Sequence, residues 1–157
     1  MILQNKKSDP NGFIIFVLSF RTYIMKIIIA GAGEVGFHLA KLLSFESLDI
    51  TLIDVERDRL NYAEGHLDIK TLRGNACSLN ILKESNAAES DLIIAVTASE
   101  SINIMVCALA KQLGSKRTIA RISNIEFTNS DNSISFQDIG VDELISPEEL
   151  AANEIQQ

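Results

Sequence analysis

Cysteine and histidine are scarce in this chain. Cys77 and Cys107 are the only thiols, and His38 and His66 the only imidazoles, in 157 residues. None of them stands at the short spacing of a zinc site, and a disulfide framework would need more cysteines in a shorter chain. The expectation is two reduced thiols in a cytoplasmic protein. A cysteine–histidine nucleophile pair and a Tyr-x-x-x-Lys acid/base pair are both missing. Positive charge is short as well: 14 Lys and Arg against 21 Asp and Glu leave −7. That excludes general attraction to nucleic acid or anionic lipid, so an anionic ligand would have to be held by local donors. Long apolar runs are lacking too. Phe13 to Leu18 falls far short of the ~20 residues of a membrane span. Lys6 and Lys7 precede that run, but no small-residue cleavage site follows it and Arg21 interrupts. Met25 stands directly before the first regular strand, so residues 1–24 read as an extension upstream of the natural start, with a real but dispensable extension as the alternative.

What is present is an alternation. Apolar residues make up 46% and charged residues 22% of the chain, enough for one domain with a sizeable core. Ile27 to Ala30 is a run rich in β-branched residues and too short for a helix. Val35, Leu39, Leu42 and Leu43 then recur at helical spacing, predicting a helix over 34–45. Strands follow at 50–54, 69–72, 92–96, 117–121 and 141–145. Helices are expected through Arg59 to Ala63, over 79–87, and over 100–113, with Ser99 as N-cap and Gly114 as terminator. Thr128 to Ser135 reads as a loop. Ser146-Pro147-Glu148-Glu149 has the residues of a helix start. Strands alternating with helices predict a Rossmann-like, doubly wound α/β fold: a six-stranded parallel sheet with helices on both faces.

The first strand runs into Gly31-Ala32-Gly33-Glu34-Val35-Gly36. In G-x-G-x-x-G the first glycine permits a tight turn, the second lets a pyrophosphate approach the backbone, and the third lets helix and strand pack closely. Exposed N–H groups at the helix N-terminus then hold an anion without a basic side chain. Asp54 ends the second strand, 18 residues beyond Gly36, where a carboxylate would hydrogen-bond ribose hydroxyls and repel a 2′-phosphate. Arg57 lies three residues further on, as a ligand contact or a solvated helix residue.

Ligands of open α/β sheets lie across the carboxyl ends of the strands. Those ends offer Asn75, Ala76 and Cys77 after the third strand, Thr97, Ser99, Glu100 and Asn103 after the fourth, and Arg121 on the fifth. Ser99 also reads as a cap, and Arg121 as a neutraliser of a nearby acid. Neither histidine sits at a carboxyl end, and no catalytic constellation accompanies the nucleotide fingerprint. The pattern fits a sensor better than a dehydrogenase; the cofactor half of an NAD-dependent oxidoreductase and a bare assembly module are the alternatives.

Four stretches, "MKIIIAGAGEVGFHLAKLL", "DITLIDVERDRL", "GNACSLNILKESNAAESDLIIAVTASESINIMVCALAKQLG" and "RTIARISN", together resemble the N-terminal RCK (KTN) domain family of Trk-system potassium uptake regulators. The resemblance implies an RCK nucleotide-binding domain over 25–146, with 147–157 starting a connecting helix toward a C-terminal region. It implies NAD(H) and ATP or ADP as competing ligands. It also implies assembly as a dimer building a tetramer or ring; Met105 and Leu109 are candidates for that surface, with burial in the domain's own core as the favoured reading for most such apolar residues. The implied partner is a membrane potassium-translocating subunit, and the implied location is cytoplasmic, peripheral on the inner face of the membrane. Position by position, Gly31, Gly33 and Gly36 match the phosphate loop, with N–H groups from Ala32, Glu34 and Val35. Asp54 matches the ribose acid, and Asn75, Ala76 and Cys77 the adenine-side turn, although many family members carry Asp where this chain has Asn75. Thr97, Ser99, Glu100 and Asn103 match the turn near the distal phosphates or second ribose, and Arg121 a phosphate-binding cation. Ligands of different length are expected to hold the two halves of the sheet at different separations.

Overall fold

The structure is a computed structural model and describes residues 23–129 and 134–148. Most of the extension (1–22) and most of the connecting helix (149–157) lie outside the described residues. Six strands, β1 (Lys26–Ala30), β2 (Asp49–Asp54), β3 (Lys70–Arg73), β4 (Leu92–Ala95), β5 (Thr118–Arg121) and β6 (Glu143–Ile145), form one sheet in the order β3-β2-β1-β4-β5-β6. Every pairing is parallel. The chain goes outward from β1 to β3, then returns across β1 to start β4. The carboxyl ends of β1 and β4 therefore flank the switch point where such sheets open a crevice.

The apolar runs are explained by cover on both faces. Ile27, Ile29, Leu52, Ile94 and Val96 point to one side, under α1 (Glu34–Ser44) and α2 (Arg57–His66). Ile28, Ala30, Ile53, Ile93 and Ala95 point to the other, under α3 (Leu79–Glu84) and α4 (Glu100–Leu113). Ser99 caps α4 by accepting from the Ile102 N–H at 3.3 Å. Gly114, at φ +126°, ends it in a conformation that side-chain-bearing residues avoid.

Two expectations are corrected and one is trimmed. The third helix stops at Glu84 instead of reaching Ala87. Asn86 turns left-handed at φ 59°, which asparagine tolerates, and a 3-10 turn over Ala87–Glu89 follows. The loop expected over Thr128 to Ser135 agrees with the described residues except Thr128, which ends a helical turn, α5 (Ile125–Thr128); a second turn, α6 (Phe136–Ile139), follows it. Ser135 caps α6, Gly140 ends it, and Phe136 meets Phe127 edge-on with 5.7 Å between ring centroids. Finally, β1 and β4 are laddered from Ile27↔Leu92 to Ala30↔Ala95. The two halves of the sheet cannot separate without breaking that ladder, so ligand-dependent movement must lie in the strand ends, loops and helices.

Candidate nucleotide-binding site

A crevice of about 370 Å³ opens at the carboxyl ends of the strands. Gly31, Gly33, Glu34 and Val35 form its floor, Asp54, Arg59 and Asn75 one side, and Thr97, Ile102 and Arg121 the other.

The three glycines have different reasons. Gly31 has φ +108°, and a Cβ there would stand 2.9 Å from the Thr97 nitrogen. At Gly36 a Cβ would fall 1.7 Å from the Gly31 carbonyl oxygen, so any side chain would push the helix off the loop. Both are needed by the fold itself. Gly33 is different: its φ is an ordinary −70°, and a Cβ would meet nothing nearer than the Arg59 guanidinium at 3.9 Å. Nothing in the chain requires glycine at Gly33; the space it leaves is in the crevice. As N-cap of α1, Gly33 also supplies no capping side chain. The first-turn N–H groups of Glu34, Val35 and Gly36 thus have no intrahelical acceptor and stand at the positive end of the helix dipole.

Asp54 is buried at the end of β2. One carboxylate oxygen accepts the Ala32 N–H at 2.7 Å and the other the Glu56 N–H at 2.8 Å. The expectation that Ala32 offers its N–H to a phosphate is therefore corrected: that N–H is used to hold Asp54. A carboxylate can accept about four hydrogen bonds, so capacity for ribose hydroxyls remains. The basic residue beside Asp54 is Arg59, not Arg57. Arg59 Nη1 lies 3.7 Å from Asp54 Oδ2 with its side chain half exposed. Arg57 opens α2 on the exposed surface and does not line the crevice. Spacing alone could not separate these two arginines. The helix start does: the third helical residue leans back over the loop while the first faces solvent.

The remaining expected residues divide in two. Asn75, Ala76, Thr97 and Arg121 line the crevice. Asn75 Oδ1 accepts the Cys77 N–H at 2.9 Å and shapes the turn after β3. Cys77, Ser99, Glu100 and Asn103 do not line it. Cys77 is half-buried and burial raises its thiol pKa, while Ser99 is occupied as the α4 cap. Glu100 accepts from both the N–H and the hydroxyl of Ser123, which lowers its pKa. Asn103 is fully buried, its amide turned inward to Thr97 and to the Arg121 carbonyl. Sequence reasoning also missed Ile102, whose exposed apolar side chain stands at the crevice wall. Among the described residues, no helix is long and apolar enough to cross a membrane.

The TrkA-N domain profile matches residues 27–147. The Trk system potassium uptake protein TrkA of Haemophilus influenzae is 42% identical over 133 residues, which are 83% of this chain and 29% of that protein. This chain thus spans under a third of that relative's length. Among solved structures, the TrkA-N domain of the inner membrane protein ybaL from Escherichia coli superposes with a TM-score of 0.70 at 16% identity, covering 86% of this chain and 96% of that one. The GsuK channel bound to NAD gives 0.63 at 17% identity, over 87% of this chain and 26% of that one. GsuK bound to ADP gives 0.64 at 22% identity, over 84% and 33%. These structures share the fold, and the profile match places the whole sheet inside one family: the chain belongs to the TrkA-N domain family.

Proposed function

We propose that this chain is a nucleotide-binding regulatory domain of a Trk-type potassium uptake system, with NAD(H) and ADP or ATP competing for its crevice. Gly33 carries the reading. It is the loop glycine that the fold itself does not need, and its missing side chain leaves room for a pyrophosphate over the uncapped start of α1. Asp54 and Asn75 then take the adenosine end, and Arg121 faces the distal phosphates. The names of the relatives, and the nucleotides held by structural neighbours of the same fold, support the same ligand class. The domain acts by binding rather than turnover, as part of a homo-oligomer, a dimer building a tetramer or ring. Its partner is a membrane potassium-translocating subunit, which it meets from the cytoplasmic side. Because the β1–β4 ladder is continuous, ligands of different length act on the strand ends and helices around the crevice. A ligand shifts such an equilibrium only by its differential affinity for two states.

Two variants test the placement. Asp54→Ala is expected to weaken NADH and ATP alike, and Arg121→Ala to weaken ATP more than NADH, each by about tenfold or more. Equal losses of the two ligands at Arg121 would remove that residue from the distal-phosphate role.

A further inference from the structure

Asn103 lies in the first turn of α4, shows no exposed surface, and spends its whole amide on two strand ends. Its Oδ1 accepts from the Thr97 N–H at 2.9 Å and from the Thr97 hydroxyl at 2.7 Å. Its Nδ2 donates to the Thr97 carbonyl at 3.1 Å and to the Arg121 carbonyl at 2.9 Å. No hydrogen-bonding capacity remains for a ligand. Thr97 is also the residue against which Gly31 packs, its nitrogen 2.9 Å from where a Gly31 Cβ would stand. One buried amide therefore joins the ends of β4 and β5 on the same wall of the crevice, and the β4 end in turn packs against the phosphate loop at Gly31. A second tether lies two residues on, where Glu100 of the same helix turn accepts the Ser123 N–H at 2.8 Å and the Ser123 hydroxyl. The backbone that follows Arg121's side chain is thus tied at two points to the start of α4, while Arg121 itself lines the crevice.

We propose that Asn103 is a positioning residue that sets the distance between the phosphate loop and Arg121, and so makes the crevice prefer adenine nucleotides carrying a second phosphate. This rests on the nucleotide reading above. Arginine–phosphate contacts are strong only when the fork is correctly placed, so a loosened β5 end loses the contact without losing the residue. The adenosine end, held by Asp54 and the turn after β3, does not depend on Asn103.

The test is the affinity ratio of ADP to AMP, measured by calorimetry on the full chain and on Asn103→Ala. The ratio is insensitive to destabilisation, because a fraction of molecules unable to bind raises both apparent dissociation constants by the same factor. Wild type is expected to prefer ADP, and Asn103→Ala to lose about tenfold of that preference with AMP binding changed by no more than about twofold. In an Arg121→Ala background, Asn103→Ala is expected to leave the ratio unchanged. If the alanine variant does not fold, Asn103→Ser, which keeps a small polar group at the site, is read in the same way. Equal losses of ADP and AMP, or a further loss in the Arg121→Ala background, would overturn the positioning role while leaving nucleotide binding intact. Failure of wild type to bind either nucleotide would overturn both.

Discussion

At the residue scale, the two inner glycines of the loop make opposite predictions. Gly36→Ala puts a methyl group on the Gly31 carbonyl. Relief requires moving backbone on both sides, so a loss of about 1–3 kcal/mol is expected, the range of overpacked cores, visible as a lowered melting temperature. Gly33→Ala meets no clash. Its stability is expected to stay within about 1 kcal/mol, as for an N-cap exchange, while nucleotide affinity falls at least about tenfold because the methyl occupies ligand space. A protein in which Gly33→Ala binds normally would have no phosphate at that position. The thiols give a second residue-scale prediction. Burial pushes the Cys107 pKa up to about 12, and that side chain is fully buried in the core. At pH 8, Ellman's reagent is expected to modify the half-buried Cys77 slowly and Cys107 only as fast as the domain unfolds.

At the scale of elements, the fold was legible because both signals it rests on are local. Continuous β-branched runs mark strands buried on two faces, and Ser99 and Gly114 mark the ends of α4 by their own chemistry. The break after Glu84 was not legible, because it depends on Asn86 taking a left-handed conformation that asparagine tolerates without advertising. The candidate site was half legible. Gly31 to Gly36 and Asp54 are fixed by spacing along the chain. The roles of Ala32, Arg59 and Asn103 depend on which way a group points once strands are side by side: Ala32 toward Asp54, Arg59 over the loop, Asn103 inward. The opposite end of the sheet makes its own prediction. Asp91 precedes β4 and accepts from Lys116 Nζ at 2.8 Å, from the Tyr23 hydroxyl, and from the Lys26 N–H at 2.8 Å. Those partners lower its pKa from 3.8 to about 2. A carboxylate depressed in the folded state stabilises the protein above its unfolded pKa, and that contribution is lost as pH falls through the folded value. Asp91→Asn is therefore expected to melt below wild type at pH 5, with the gap closing between about pH 4 and pH 2. A gap independent of pH would mean that packing, not charge, makes Asp91 matter.

At the scale of the molecule, the proposed function has an acidic chain hold an anionic ligand by geometry rather than by net charge. The uncapped helix start supplies partial positive charge, Arg59 and Arg121 stand on opposite sides of the crevice, and the switch point of a continuous parallel sheet supplies the space. Such a site can distinguish ligands by length and phosphate charge without any catalytic group, which is what a sensor requires. The most direct test of that claim is calorimetric competition on the full chain, cleared of carried-over nucleotide: NADH is titrated first alone and then in the presence of saturating ADP. One site for NADH, with its apparent affinity lowered in proportion to the ADP present, is the predicted result. NADH binding that ADP leaves untouched would contradict a shared crevice and favour the cofactor half of an oxidoreductase, and no binding of either would reduce the domain to an assembly module.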